Sequence, residues 1–161
     1  MDFEFLVYLS FGILVVSAIR YIIKRKKQLH IELKSIDDLK NAMKEFIPRR
    51  DLDFMIVDFE PYYIQYAKFP DSHDFMCECV SNNYLSNGNL LNDNQYQLLS
   101  TYGFYAPGEK DEEGNKSQNF FKFYTCSNQE ETDYLLSELE KLIFDVYEHT
   151  SDTFRFKMNQ N

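Results

Sequence analysis

Hydrophobic positions along the chain change period several times, and each change marks an element. Ser35 opens a helical segment in which Leu39, Met43, Phe46 and Ile47 share one face. Ser35 can cap it, with Asp38 three residues on as in a capping box. Pro48 ends it, because the ring removes a donor and disfavours helix before it. Two strand-like runs follow, Phe54–Phe59 and Tyr62–Phe69, with Pro61 marking the turn between them. A third run, Asp74–Val80, alternates with period two. Asn92 or Asp93 caps a short helix carrying Leu98, Leu99 and Tyr102, and Gly103 is placed as its C′ residue. Residues 107–118 are polar and read as a solvated loop. Residues 119–125 return to strand character through Phe120, Phe121, Phe123 and Tyr124. The last helix opens with Ser127 and Glu130 as a capping box and carries a stripe of Leu135, Leu139, Leu142 and Val146, flanked by Leu136, Ile143 and Tyr147.

The order α-β-β-β-α-β-α, with three adjacent strands, predicts a two-layer α+β domain over residues 35–150. Its antiparallel sheet would carry the helices on one face. Residues 28–34 read as a linker and residues 151–161 as a polar C-terminal tail, with Phe154 and Phe156 tucked back.

One segment stands apart. Phe5–Ile23 carries a single charge, Arg20, and is followed by Lys24, Arg25, Lys26 and Lys27. Its 19 residues make about 28 Å of helix, close to the ~30 Å thickness of bilayer hydrocarbon. Arg20 lies near one end, where its guanidinium can reach the head groups. The reading is a transmembrane anchor over residues 1–27. Arg20 and Lys24–Lys27 form a basic collar, and the positive-inside rule places the N-terminus outside and the domain in the cytoplasm. The expectation is a single-pass cell-membrane protein with the lipid bilayer as partner to residues 5–23.

Charge sharpens the picture. Residues 1–27 sum to +3, which leaves −12 for the remainder of a chain whose net charge is −9. So acidic a domain repels phosphate backbones, and nucleic acid is not expected as a ligand. With 17% aromatic residues, no Trp and only 5 Gly, the composition is that of a folded domain.

The three cysteines suggest neither a disulfide scaffold nor a zinc site. Cys77 and Cys79 fall on one face of an alternating strand, which accounts for their spacing, and His30, His73 and His149 add no ligand pattern. Glu78 beside Cys77 points to the opposite face of that strand, so the two cannot act together. No nucleophile–base motif, P-loop or dinucleotide fingerprint occurs. No catalytic, cofactor-binding or metal residue is assigned, and no cofactor is expected.

Four stretches carry a resemblance: Cys79–Leu85 (Cys-Val-Ser-Asn-Asn-Tyr-Leu), Gln95–Phe104 with its Leu-x-x-x-Gly-Phe turn, Asn119–Phe121, and Asp145–Tyr147. In this order they resemble the bacterial YbjN-like domains, which are related in fold to type III secretion chaperones. The resemblance covers approximately residues 50–149. It implies a non-enzymatic domain, often dimeric, that binds polypeptide.

The expected function is therefore a membrane-anchored, non-enzymatic, chaperone-like protein-binding module, with a second copy of the chain as one candidate partner. The alternative is a membrane-tethered immunity or inhibitor protein that neutralises a basic toxin by complementary charge. Phe144, roughly 130° from the centre of the last helix's apolar stripe, is the candidate interface residue.

Overall fold

The computed structural model describes residues 28–151 and 153–160. Six strands form one antiparallel sheet: β1 (Gln28–Leu33), β2 (Leu52–Phe59), β3 (Tyr62–Lys68), β4 (Asp74–Cys79), β5 (Phe120–Thr125) and β6 (Phe154–Gln160). Their spatial order is β1-β6-β2-β3-β4-β5. Three helices, α1 (Ile36–Phe46), α2 (Asp93–Thr101) and α3 (Gln129–Lys141), complete an α+β fold.

Strand alternation sorts the side chains into two layers. Met55, Val57, Ile64, Tyr66, Phe75, Cys77, Cys79, Phe120, Tyr124, Phe154 and Phe156 are buried in one core with Leu39, Met43 and Phe46 of α1, Leu99 of α2, and Leu135, Leu136 and Leu139 of α3. The other sheet face carries Ile56, Gln65, Ala67, Met76 and Phe123, all only partly buried, and no helix covers it among the described residues.

The helix termini follow local chemistry. Ser35 caps α1 by accepting the Asp38 N–H at 3.0 Å. Asn92 and Gln95 form a reciprocal capping box on α2. Gly103 follows the end of α2 with φ of +82°, a left-handed conformation that glycine adopts without penalty. The cap of α3 lies one residue beyond the expected Ser127–Glu130 pair: Asn128 accepts the Glu131 N–H at 2.9 Å, and the Glu131 carboxylate reaches back to the Ser127 N–H. Sequence spacing alone does not distinguish these neighbouring frames. Beyond Lys141 the chain widens into a π turn, Leu142–Val146, whose Leu142, Ile143 and Val146 are all buried.

Three expectations are corrected. Residues 28–33, read as linker, are strand β1, and residues 154–160, read as tail, are strand β6, so the order is β-α-β-β-β-α-β-α-β. β6 alternates Phe154, Phe156 and Met158 inward with Arg155 and Lys157 outward. Polar residues on one face of a strand make it look like a solvated tail when its neighbours are distant in sequence. The third correction concerns the membrane. Among the described residues no helix is long and apolar enough to cross one. The longest of them, α3, has 13 residues, against the ~20 apolar residues a span needs. The run Phe5–Ile23 and the collar of Arg20, Lys24, Arg25, Lys26 and Lys27 lie outside the described residues. Hydropathy records what a segment tolerates around it, not which environment it occupies. The single-pass localisation is therefore withdrawn.

Candidate functional site

β5 is an edge strand, and the surfaces on both sides of it are concave. On the open face, Phe121 is buried because Tyr105 stacks on it with ring centroids 5.0 Å apart. Phe123 continues the row, 5.9 Å from Phe121 edge-on and 5.8 Å from Phe69. Phe69 itself is 42% exposed. The rings of Phe69, Tyr105 and Phe123 floor a hollow of about 510 Å³ whose rim carries Asp74, Asp111, Glu112 and Glu113.

The rim is a structured loop. The Asp111 carboxylate accepts the Asn115 N–H at 2.7 Å and the Glu113 N–H at 3.0 Å, while the Gly114 N–H bonds the Asp111 carbonyl. Burial opposes ionisation of Asp111, but hydrogen bonds from Asn115, Glu113 and Gly114 outweigh it and hold its carboxyl below the usual carboxylate range. The loop is anchored to the sheet where Ser117 donates to Glu78 at 2.5 Å.

On the helix-facing side of the same edge lies a second hollow of about 540 Å³, bounded by Lys122, Tyr124, Asn128, Glu130, Glu131 and Tyr134. Tyr134 is 56% exposed. Hydrogen bonds from Ser127 hold the Glu131 carboxyl below its ordinary range. Beneath Tyr134 is a buried charged knot. Lys122 Nζ donates to both Glu138 oxygens, at 2.7 and 2.8 Å, and to the Tyr102 carbonyl at 2.7 Å, and the Tyr124 hydroxyl donates to Glu138 at 2.5 Å. The knot joins β5 to α3 and fixes the floor of the hollow.

The strand edge between the hollows is open. Phe121 exchanges both backbone bonds with Tyr105, so its N–H and C=O point away from β4. By alternation those of Phe123 and Thr125 point the same way, and no further strand pairs with them among the described residues.

A third hollow, about 380 Å³, sits between the end of α1 and the β3–β4 turn. Its Lys68 donates to the carbonyls of Phe46 and Ile47, at 2.6 and 3.1 Å, and to that of Arg49. These carbonyls lie at and just past the C-terminus of α1, so this lysine closes a helix end.

The residues that carry the YbjN-like resemblance form structural staples. Ser81 is buried, its N–H bonded to Asn119 and its hydroxyl to the Gln118 carbonyl. Asn82 holds both the N–H and the C=O of Leu91. Gln95 donates to the Val146 carbonyl at 2.6 Å, and Tyr147 to the Val80 carbonyl at 3.3 Å. Together they tie the long 80–92 connection to β5, α2 and the π turn.

The cysteines are free and buried, with Cys77 and Cys79 on the core face of β4. Burial pushes the Cys77 thiol well up and Cys126 to about 11, which keeps both protonated at neutral pH. Among the described residues no group of three His, Cys, Asp or Glu side chains is placed to hold a metal ion.

Phe144, the candidate interface residue, is partly buried against the core on the π turn. Sequence pattern does not single out the aromatics at the β5 edge. Phe123 is legible as strand and Tyr134 as helix, but their exposure depends on β5 being the last strand of the sheet.

No family model, curated protein or solved structure matches the chain. The likeness to YbjN-like domains therefore rests on its four short stretches alone.

Proposed function

We propose that the chain is a polypeptide-binding module without catalytic activity of its own, and that it docks its partner at the β5 edge. The observation that carries this reading is the exposure of Phe69 and Tyr134 on either side of one open strand. They are two of the five large apolar side chains exposed among the described residues. Rigid aromatics left in water beside a concave surface mark interaction sites more often than isolated surface apolar groups do. The resemblance to polypeptide-binding domains points the same way.

A second reading has its own support. The carboxylates around both hollows suit a cationic partner, as an inhibitor of a basic protein requires. The same charge disfavours a second copy of this chain, whose edge is equally acidic.

Site-specific photo-crosslinking in cells tests the function. A crosslinker at Phe69 or Tyr134 is expected to capture a discrete protein that one at Glu45, on the exposed face of α1, does not. Equal capture at all three positions, or none, removes the reading. Loss of a purified complex on raising salt favours the inhibitor role, because rim charges act through screened electrostatics.

A further inference from the structure

Resting on that docking reading, we infer that the partner segment is an extended, basic stretch of polypeptide that binds by adding a seventh strand to the sheet alongside β5. Three features select this mode. First, the N–H and C=O groups of Phe123 and Thr125 point outward with no strand beside them among the described residues, and only another extended backbone matches their spacing. A helix or a folded surface would leave them unpaired. Second, the two hollows lie on opposite faces of the same edge and share Phe123, Tyr124 and Thr125 in their walls. An added strand sends successive side chains to opposite faces, so one residue enters the first hollow and its neighbour the second. Third, both hollows present carboxylates. Among the described residues the only cation bounding either is Lys122, which Glu138 already neutralises. Lysine or arginine at neighbouring positions of the added strand would find an acidic rim on each face, with the rings of Phe123 and Tyr134 against their stems.

Strand addition is limited at one end by Tyr105, which occupies the edge opposite Phe121. The usable edge therefore runs from Lys122 to Thr125, about 14 Å at 3.4 Å per residue. That length suits a short linear segment.

The test uses the full chain and a labelled twelve-residue peptide, with Lys-Lys-Val-Lys at its centre and Thr and Ser flanks, followed by fluorescence anisotropy and residue-resolved amide exchange. On binding, the amides of Phe123 and Thr125 are expected to slow roughly tenfold or more, since each gains a protecting hydrogen bond. Those of Lys122 and Tyr124 already face β4 and should change little. The triple variant Glu112→Lys/Glu113→Lys/Glu130→Lys, all exposed positions, should weaken the peptide by roughly tenfold or more at low salt. A peptide with Glu in place of Lys should not bind. Peptide binding with Phe123 and Thr125 exchanging as before overturns strand addition and leaves polypeptide binding standing. No binding of the Lys peptide, or equal binding of the Glu peptide, overturns the basic-segment inference. Failure of the cellular crosslink overturns the docking reading itself.

Discussion

Replacing Glu138 by leucine isolates the energetics of the knot under the second hollow. Glu138 and Lys122 are 6% and 16% exposed at their side chains, and the carboxylate also accepts the Tyr124 hydroxyl. Glu138→Leu leaves the Lys122 ammonium largely out of water with only the Tyr102 carbonyl and the Tyr134 hydroxyl as acceptors. Removing one partner of a buried pair costs about 3–5 kcal/mol. Lys122 sits close enough to the surface to regain some water through its flexible stem, which favours the lower end, ~3 kcal/mol. For a domain of this size that is a fall in Tm of about 10 °C. Lys122→Met/Glu138→Leu removes both charges together. Two independent losses would sum to about 6 kcal/mol, whereas the pair should fall within ~2 kcal/mol of the parent, the remaining cost being the stranded Tyr124 hydroxyl and Tyr102 carbonyl. Urea unfolding of the four proteins completes the cycle. A single-variant cost below about 1 kcal/mol, or a double variant that equals the sum of the singles, refutes the claim that the two charges depend on each other.

Burial raises Tyr66, Tyr124 and Tyr147 above the ordinary value of 10.0, so their contribution to stability is complete below about pH 10 and is lost as pH climbs beyond it. The urea midpoint should therefore fall above pH ~10 and tyrosinate absorbance from these rings should appear only with unfolding; smooth ionisation of every tyrosine in the native state would contradict this. Truncation after Ser151 removes β6 and should abolish the cooperative melt, and Phe156→Ala alone should cost roughly 3–5 kcal/mol because the ring is fully buried. Gln95→Ala removes both the donor to the Val146 carbonyl and the acceptor for the Asn92 N–H, at a cost of about 2 kcal/mol by chemical denaturation. That should exceed the ~1 kcal/mol expected for Asn128→Ala, a cap on exposed helix.

The elements with strong local signals were legible. Leu39, Met43 and Phe46 line the buried face of α1, and the last-helix stripe of Leu135, Leu139, Leu142 and Val146 is wholly buried. The C-x-C pair points inward as strand alternation requires. What local pattern could not supply was pairing across the chain. β1 and β6 are recognisable as strands only through each other, Phe156 lying opposite Ile31 on one side and Val57 on the other. The candidate site was hidden for the same reason. Phe123 reads as an ordinary strand residue until the strand order leaves it at the rim. Residues 107–118 read as solvated loop, although their carboxylates line a hollow. The residues on which the resemblance to YbjN-like domains was read brace the fold internally, since Ser81, Asn82, Gln95 and Tyr147 all commit their polar groups to backbone partners.

The position of β6 has a consequence for biosynthesis. β2, β3 and β4 can pair as a meander soon after they are made, and β5 can join before α3 is complete. Among the described strands β1 has no neighbour except β6, so it must wait through roughly 120 residues of synthesis for its partner, while one flank of β2 stays open throughout. Until residues 154–160 leave the ribosome, the nascent chain exposes two unpaired strand edges beside an unfinished core. This is the condition in which strands recruit foreign partners and in which holding chaperones act. Closure of the sheet is thus a late, long-range event, and the rate of productive folding should depend on how quickly the last seven-residue strand finds the gap between the first two.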